Sequence, residues 1–374
     1  MKIAVNTRLL LKDKLDGIGW FTYETLKRIT QQHKEHEFIF IFDRKYSDEF
    51  IFSDNITPIV ISPQSRHPFL WYLYFEWSIT RVLKKHKPDL FLSPDGWISL
   101  RTDVKTLDVI HDINFEHNPE HLPYFFRKYY LHYFPKFANY ANRIATVSEF
   151  TKNDIVDKYG ISPNKIDIVY NGANEKYKPV SDEVRVDTRQ KYTQGCNYFL
   201  FIGTISKRKN LLNLLRAFDK FKTSTDNNTK LLIIGSVMWD SKELDEVLKT
   251  LKYKNEVVFA GRATDDELVD IIGSSLAMVY PSFFEGFGIP IVEGMYSEVP
   301  VITSNVTSMP EVGGDAVLYV EPGSVDSISD ALLKIQNEPE LRAELIEKAK
   351  IQRQKFTWQK TADRLWESIE KTLN

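Results

Sequence analysis

The sequence predicts an α/β protein built from two doubly wound, Rossmann-like domains that face a central cleft. Its 374 residues suit two domains of ordinary size. Short apolar runs alternate with helical patterns, from "KIAVNT" to "KIDIVYNG" in the first half and from "NYFLFIGT" to "AVLYVE" in the second. Several runs are apolar at both odd and even positions, which is typical of strands covered by helices on two faces. This alternation predicts parallel sheets with crossover helices.

A polar stretch separates the two series of strands. Residues 174–197 contain Pro179 and Gly195 and show no sustained apolar period, so we expect the domain boundary there. Ligands of open parallel sheets bind beyond the carboxyl ends of the strands, so two facing domains predict a ligand in the cleft between them. The final segment, "TWQKTADRLWESIEKTLN", has the pattern of an amphipathic helix with Thr357 as its N-cap.

Composition excludes several classes of protein. The formal net charge of -2 argues against binding to nucleic acid. The single cysteine, Cys196, permits no internal disulfide and fits a reducing compartment. The opening apolar run is interrupted by Asn6, Thr7 and Arg8, so it does not resemble a signal peptide. We therefore expect a cytoplasmic protein, at most attached to the inner face of the membrane.

The stretch "VYPSFFEGFGIPIVEGM" places two acids around a glycine turn. We expect a buried strand, then Glu285 in a loop, then a helix that starts at Pro290 and carries Glu293 in its first turn. Gly286 and Gly288 allow a sharp turn and a close approach to the backbone. A capped helix with solvated acids is the alternative interpretation, since acids commonly occupy first turns.

The start of this predicted helix is suited to phosphate. The amides of Phe287, Gly288 and Ile289 would face a ligand at a helix N-terminus, where anions are favoured. Carboxylates beside a phosphate make sense if they bind hydroxyls on either side of it. A nucleotide sugar has this layout of sugar, diphosphate and ribose, so the spacing suits Glu285 on one hydroxyl-bearing ring and Glu293 on the other.

A basic turn provides the matching charge. "FLFIGTISKRKNLLNLLRAF" reads as a strand, a turn and a helix, with Lys207, Arg208 and Lys209 at the turn. Cations at a helix N-terminus oppose the helix dipole. They therefore indicate either a bound anion, such as a diphosphate that gains charge as it leaves, or a solvated surface turn.

The first half offers two weaker candidates. Gly17-Ile18-Gly19 precedes an amphipathic helix but lacks the third glycine of the dinucleotide fingerprint. His111 follows a predicted strand, at the end where a cleft would lie. A metal site formed by His111, His117 and His121 is an alternative, but Pro119 disturbs the helical spacing of the last two.

Together these segments resemble a retaining glycosyltransferase of family 4, with the GT-B fold. "EGFGIPIVE" is similar to that family's Glu-x7-Glu motif, and "GTISKRKNLLNLLRAF" to its phosphate-binding turn. "GIGWFTYETL", "VIHDINFEHNPEHLP", "ATVSEFTKNDIVDKYGISPNKIDIVYNG" and "FTWQKTA" resemble further family segments in the usual order. The likeness covers essentially the whole chain. It implies an N-terminal acceptor domain of residues 1–176 plus 358–374, a nucleotide-sugar domain of residues 190–357, and a linker near 177–189.

The resemblance also implies roles for the site residues. Glu285 is expected to contact the donor sugar and Glu293 the ribose hydroxyls, with the amides of Phe287, Gly288 and Ile289 near the sugar and the distal phosphate. Arg208 and Lys209 would neutralise the leaving diphosphate. The remaining donor contacts would come from Gly19 and the sugar-facing His111 in the first half, and from Gly203 and Thr204 in the second.

One position departs from the family pattern. Many relatives carry an arginine where this chain has Thr204, so Arg208 or Lys207 would have to supply that charge. The family needs neither metal nor cofactor, and no Asp-x-Asp triplet is present to hold a metal-bound diphosphate. Transfer with retention is implied, by front-face attack assisted by the leaving phosphate.

The expected function is transfer of a hexose, with mannose preferred, to a growing glycan or a polyprenyl-diphosphate-linked acceptor in cell-surface polysaccharide biosynthesis. GDP-mannose is favoured over UDP-sugars as donor by family likeness. Base preference would depend on the pocket around "GSVMW" and "FAGRA". A nucleotide-sugar epimerase and a non-catalytic nucleotide-sugar-binding protein remain alternatives, whereas a phosphorylase or a Rossmann dehydrogenase lacks its sequence signature.

Two aromatic stretches, "PFLWYLYFEWSITRVLKK" and "LPYFFRKYYLHYFPKF", fall in the first half. Most aromatic residues are buried, so helix core is one interpretation. A lipid-facing or sugar-stacking surface is the other, because Arg127, Lys128 and Lys136 lie beside aromatics, as at anionic membrane interfaces. A peripheral membrane contact is therefore a second expectation for this part of the chain.

Overall fold

The computed structural model describes residues 1–236 and 242–374, so residues 237–239 of "GSVMW" lie outside the described residues. The chain divides into two compact units. Unit 1 comprises Met1–Gly172 and Thr357–Asn374, and unit 2 comprises Ala173–Phe356. The final segment therefore belongs to the first unit, although it follows the second in sequence.

Unit 1 contains a parallel sheet with the order β3-β2-β1-β4-β5-β6-β7 within the described residues. Its strands are β1 Lys2–Asn6, β2 Glu37–Phe42, β3 Ile56–Val60, β4 Leu90–Ser93, β5 Lys105–Ile110, β6 Arg143–Thr146 and β7 Ile166–Ile168. The register places Val5 of β1 beside Phe40 on one side and Leu92 on the other. The order of strands reverses between β1 and β4, which makes this position a topological switch point.

Helices cover both faces of this sheet. They are α1 Gly17–Gln32, α2 Pro68–Leu73, α3 Thr80–His86, α4 Asn114–His117, α5 Tyr124–Tyr140 and α6 Glu149–Tyr159. A π-helical stretch, Tyr74–Ile79, joins α2 to α3. The last helix of the chain, Trp358–Leu373, also packs here, against α1, and its N-cap is Thr357 as predicted.

Unit 2 contains a second parallel sheet, with the order β10-β9-β8-β11-β12-β13 within the described residues. Its strands are β8 Tyr198–Ile202, β9 Lys230–Ile234, β10 Val257–Gly261, β11 Ala277–Tyr280, β12 Val301–Ser304 and β13 Leu318–Val320. Its helices are α7 Asp182–Thr193, α8 Leu211–Thr223, α9 Lys242–Thr250, α10 Asp265–Gly273, α11 Ile289–Tyr296, α12 Met309–Gly313, α13 Val325–Asn337 and α14 Pro339–Gln352. Numbering by chain order makes the final helix, Trp358–Leu373, α15.

The burial of the central strands explains why they could be predicted from apolar runs in the sequence. The central strands β1, β4, β8 and β11 are buried along nearly their full length, because helices cover both faces of each sheet. Each unit has its own apolar core, which contains Phe91 and Phe137 in unit 1 and Phe199 and Phe218 in unit 2. Every strand predicted from an apolar run is present in the structure.

Two local predictions need correction. The predicted linker near 177–189 lies inside unit 2, where Asp182–Thr193 forms α7. This helix is largely polar and solvated, so it has no apolar period, but Ser181 caps it and Arg189 donates to the carbonyl of Ser274. Pro290 is the second residue of α11 rather than the first, so Glu293 is the fifth residue of the helix and lies one residue further along than predicted, just beyond the first turn.

Candidate functional site

The predicted donor residues of unit 2 meet at the carboxyl ends of β8 and β11. These two strands pair in the centre of the sheet, with Phe199 beside Ala277, at the point where the strand order reverses. The loops that leave the two strands diverge there, which creates the crevice where ligands of doubly wound sheets bind. The basic turn follows β8, and the Glu285 loop follows β11.

The basic turn is a short 3-10 segment, Lys207–Lys209, that leads directly into α8. Asn210 lies between them in the left-handed region, with φ of 61°. Its buried side chain donates to the carbonyls of Pro281 and Pro322, at 2.9 and 2.7 Å. Asn210 therefore fixes the turn against the loops that follow β11 and β13.

Glu285 is buried between the two cations of this turn. Its Oε2 lies 2.6 Å from the Nη1 of Arg208, and its Oε1 lies 2.7 Å from the Nζ of Lys209. Burial alone would raise the pKa of Glu285, but the charges of Lys209 and Arg208 outweigh it and lower the pKa to about 2. The carboxylate is therefore ionised, and the trio keeps one positive charge in excess.

Tyr280, the last residue of β11, completes this cluster. Its hydroxyl accepts a hydrogen bond from the Nζ of Lys209, and its ring centre lies 4.4 Å from that ammonium. Burial, with the nearby charge of Glu285, raises the pKa of Tyr280, so the phenol stays neutral. Tyr280 was not among the residues predicted from the sequence, although a tyrosine at the end of a buried strand beside a predicted site was the available signal.

The loop that carries Glu285 is supported by the turn after β12. The hydroxyl of Ser308 donates to the carbonyls of Glu285 and Phe287, at 2.9 and 3.1 Å. The amide of Glu285 donates to the Thr307 hydroxyl at 3.3 Å. The Nη1 of Arg208 also binds the Phe284 carbonyl at 2.7 Å. These contacts hold the carboxylate in place before any ligand arrives.

The start of α11 has the geometry predicted for an anion-binding turn. Gly288 is the N-cap residue. Its φ is +97°, a backbone conformation that residues with a side chain rarely adopt. Within the described part of the chain, no side chain caps this helix start. Phe287 is buried against Phe356, and Ile289 is the first helical residue. The chain therefore turns into the helix with its first amides at the same end of the sheet as Glu285.

Glu293 lies one turn inside α11, in a different environment from Glu285. The hydroxyl of Tyr177 forms a hydrogen bond with its carboxylate. Burial raises the pKa of Glu293 to about 7, despite the opposing effects of this hydrogen bond and of Lys176. Lys176 itself pairs with Asp265 at 3.3 Å. Tyr177 and Lys176 fall in the stretch that the sequence assigned to the domain boundary, so their role was missed.

The remaining predicted residues of unit 2 follow β8. Gly203 has φ of +133°, and a Cβ there would lie 3.8 Å from the Cε of Lys209. Thr204 is exposed beside it. Of the two cations expected to replace the missing arginine, Lys207 pairs instead with Glu243 at 2.9 Å and is largely exposed. Arg208 is therefore the cation that remains close to Glu285 and Lys209.

His111 and Gly19 belong to unit 1. His111 follows β5, and its Nε2 lies 2.8 Å from the Pro94 carbonyl, which makes Nε2 the donor. Burial lowers the pKa of His111, so the ring is neutral. The ring packs edge-on against Phe21 of α1, with centroids 4.9 Å apart. Gly19 lies in the first turn of α1, where its amide donates to the Asp16 side chain at 2.9 Å.

A buried ion pair near His111 was not predicted. The Nε of Arg8 lies 2.5 Å from the Oδ2 of Asp95, and Asn6 donates to the other oxygen of Asp95 at 2.9 Å. Ser93 joins the same network, so it spans the carboxyl ends of β1 and β4 at the switch point of unit 1. The signal in the sequence was the polar triplet Asn6-Thr7-Arg8, which begins at the last residue of the first strand.

The three histidines of the metal alternative do not converge. His111 is bound to a carbonyl, and the Nε2 of His117 lies 2.8 Å from the Oδ1 of Asp154. Among the described residues, His33, Glu35 and His36 are the group with ligand atoms close enough to hold a metal. That group lies at the end of α1 and the start of β2, away from His111 in the fold of unit 1, and both imidazoles stack on Trp366.

Comparison with known proteins agrees with this fold. The family described as "Glycosyltransferase Family 4" matches residues 15–177, and "Glycosyl transferases group 1" matches residues 186–352. O-antigen chain mannosyltransferase B of Escherichia coli is 28% identical over 372 residues, which are 96% of this chain and 97% of that protein. O-antigen chain mannosyltransferase RfbU of Salmonella typhimurium is 29% identical over 290 residues, 76% of each chain.

Solved structures share the fold at lower sequence identity. Anabaena Alr3699/HepE, crystallised with UDP and glucose, has a TM-score of 0.78 and 16% identity and aligns over 99% of both chains. The two parallel sheets and this likeness define the GT-B class of glycosyltransferase. The chain belongs to glycosyltransferase family 4, and it is similar to bacterial O-antigen mannosyltransferases.

Proposed function

We propose that this glycosyltransferase moves a hexose, with retention and without a metal, from a nucleotide-diphosphate sugar to a growing glycan or a lipid-linked acceptor. The observation that carries the proposal is the buried Glu285 carboxylate held by Arg208 and Lys209 at the β8/β11 switch point. This cluster thereby offers a hydrogen-bond acceptor to the sugar hydroxyls and an excess positive charge that would attract a diphosphate.

The proposed donor is GDP-mannose, from which mannose would be transferred, and a UDP-sugar is the second choice of donor. Two relatives that align over 96% and 76% of this chain are named as O-antigen mannosyltransferases, which supports mannose and a role in cell-surface polysaccharide biosynthesis. HepE was crystallised with UDP-glucose as well as UDP, which supports a nucleotide sugar in this fold but a different base. Glu293 would bind the ribose, a group that both donors share.

The residues of the cluster would act by position and charge. Arg208 and Lys209 would take up the charge that develops on the leaving diphosphate, while the first amides of α11 face its distal phosphate. Glu285 would hold the sugar hydroxyls, and the neutral His111 of unit 1 would contact the sugar near the reacting carbon. Proper orientation of donor and acceptor would supply much of the rate enhancement.

The test is the stereochemistry of the product. Purified enzyme should be incubated with GDP-mannose and a mannose-terminated acceptor, with and without EDTA, and the anomeric proton of the product followed by NMR. We expect the anomeric configuration of the donor in the product and equal rates in both samples. An inverted product would refute retention, a rate abolished by EDTA would refute metal independence, and nucleotide-sugar isomerisation without transfer would assign the chain to an epimerase.

A further inference from the structure

The outward sides of α2, the π-helical stretch Tyr74–Ile79 and α5 form one surface of unit 1, which we call the α2–α5 face. Trp71 of α2 is buried between these helices, with its ring centre 5.2 Å from that of Phe126 and 5.5 Å from that of Tyr129. Trp97 continues this aromatic core below them. The inward aromatics of both stretches are thus core, as one interpretation of the sequence expected, and they bring the outward sides together.

Large apolar side chains nevertheless remain exposed on the α2–α5 face. The exposed fraction reaches 68% for Phe125, 65% for Phe69 and 54% for Trp77. The exposed large apolar residues of the face are Phe69, Trp77, Tyr124, Phe125, Leu131 and Tyr140. A cluster of this kind, in place of scattered single residues, indicates a surface that meets an apolar partner.

The charges of the face have one sign. The segments Pro68–Ile79 and Tyr124–Tyr140 contain three cations, Arg127, Lys128 and Lys136, and a single acid, Glu76. Glu76 is buried, and it accepts a hydrogen bond from the amide of Leu100 at 3.0 Å. The whole chain, by contrast, carries a net charge of -2. The positive character is therefore local to this face.

The cations of this face lie close to aromatic rings, two of them exposed and one partly buried. The Nζ of Lys128 is 4.7 Å from the ring centre of Tyr124, and the guanidinium of Arg101 is 5.3 Å from that of Trp77. The Nζ of Lys136 is 5.6 Å from the ring centre of Tyr133. Each positive head group thus lies beside an apolar body, the arrangement of amphipathic elements at membrane interfaces. Asp103 lies near Tyr140, at the end of α5 away from Lys128.

We propose that the α2–α5 face binds the surface of an anionic lipid bilayer. Aromatic side chains would enter the head-group region while the cations contact lipid phosphates. A second copy of the chain fits less well, because a two-fold interface would place these cations opposite one another, and the segments Pro68–Ile79 and Tyr124–Tyr140 contain no exposed acid to pair with them. No helix in the described ranges is long and apolar enough to cross a bilayer, so the contact would be peripheral.

The position of the α2–α5 face also suggests how a lipid-linked acceptor would reach the enzyme, and that part of the inference rests on the proposed function. In a parallel α/β unit, each helix starts at the carboxyl end of the preceding strand. The starts of α2 and α5 meet there, since the rings of His67 and Phe126 lie 6.2 Å apart. Phe69 and Phe125 are therefore at the same end of unit 1 as His111. A bilayer at this face would present a lipid-linked acceptor to that end.

Flotation with lipid vesicles tests the proposal. We expect the wild-type protein to float at low salt with vesicles containing phosphatidylglycerol, and not with pure phosphatidylcholine. The double variant Phe125→Ser/Lys128→Glu, which changes two exposed residues of α5, should lose binding by about tenfold or more. The matched variant Ile351→Ser/Lys334→Glu changes an exposed isoleucine and an exposed lysine of unit 2 and should float like the wild type.

Two results would overturn the proposal. One is a wild-type protein that fails to float with anionic vesicles at low salt, and the other is equal flotation of the α5 variant and the wild type. A concentration-dependent dimer that the α5 variant disrupts, without flotation, would assign the face to a second copy. Thermal shift by nucleotide sugar, measured on all variants, separates this question from the proposed function, because none of the four substituted residues is a proposed donor contact.

Discussion

At the scale of single residues, Tyr280 joins the two charges on which the proposed chemistry depends. It accepts a hydrogen bond from Lys209, and Glu285 lies close enough to raise the pKa of its hydroxyl. The substitution Tyr280→Phe keeps the aromatic ring but removes the hydroxyl that accepts the hydrogen bond from the Lys209 ammonium and orients it. We expect the rate of nucleoside-diphosphate release from the donor to fall about tenfold, with little change in melting temperature.

Tyr198→Phe is the matched control for this substitution. Tyr198 is equally buried in the neighbouring strand β8, but its hydroxyl donates to the carbonyl of Ile271 at 2.6 Å. Its loss should cost about 1 kcal/mol of unfolding free energy and leave turnover per folded molecule unchanged. If Tyr280→Phe behaves like Tyr198→Phe, the phenol of Tyr280 is structural and has no part in positioning Lys209.

The second residue-scale prediction concerns pH. The pKa of Glu293 is about 7, above the usual value for a glutamate. In the role proposed for it, the ionised form would accept hydrogen bonds from ribose hydroxyls. As the pH falls through about 7, protonation removes this acceptor, so the affinity for the nucleotide sugar should decrease, by at most about tenfold per pH unit. Calorimetric titrations between about pH 6 and pH 8.5 measure the effect.

Glu293→Gln is the control for the pH experiment. The amide is close in shape but does not titrate, so this variant should bind more weakly at high pH and show a flat profile. The donor diphosphate is doubly esterified and does not titrate in this range either. A wild-type affinity that is constant from about pH 6 to pH 8.5 would contradict the assignment of Glu293 to donor binding.

At the scale of the elements, the ends of β8 and β9 approach each other closely. A Cβ on Gly235 would lie 2.0 Å from the carbonyl oxygen of Gly203, and Gly235 has φ of +152°. Because backbone atoms cannot yield as a flexible side chain can, Gly235→Ala should lower the unfolding free energy by about 2 kcal/mol or more. The midpoint of urea unfolding reports this change.

Gly323→Ala is the comparison for that measurement. Nothing lies within 4 Å of a Cβ at Gly323, and its φ is not in the left-handed region. This variant should unfold within about 0.5 kcal/mol of the wild type, or be slightly more stable. Equal midpoints for the two alanine variants would show that the strand ends have room for a side chain.

The elements also show which parts of the fold a sequence can reveal. The strands were predicted correctly because each is a short apolar run, and the central ones are buried along nearly their full length. Helix α7 was missed because it is amphipathic only weakly and buries little besides Thr188 and Thr193. Ser181 followed by Asp182 and Glu183 was a usable helix-start signal there. The contacts of Tyr280 and Tyr177 depend on tertiary placement, which no local pattern encodes.

At the scale of the whole molecule, the two units contain different sets of functional side chains. All eight histidines fall in unit 1, which also carries the aromatic α2–α5 face. The cluster of Glu285, Arg208 and Lys209 belongs to unit 2. The two series of strands predicted two domains, but the linker predicted near 177–189 overlaps α7, because solvated helices and linkers have similar compositions.

The most direct test of the central claim is a calorimetric titration of nucleotide sugars into the wild type, Lys209→Ala and Lys207→Ala. Lys209 lies against Glu285, whereas Lys207 is two residues away in the same turn and pairs with Glu243. We predict that the wild type binds GDP-mannose or a UDP-sugar. Lys209→Ala should bind the same donor about tenfold or more weakly, and the affinity of Lys207→Ala should be within about twofold of the wild type. Equal affinity of Lys209→Ala and the wild type, or no binding of any nucleotide sugar, would contradict the account.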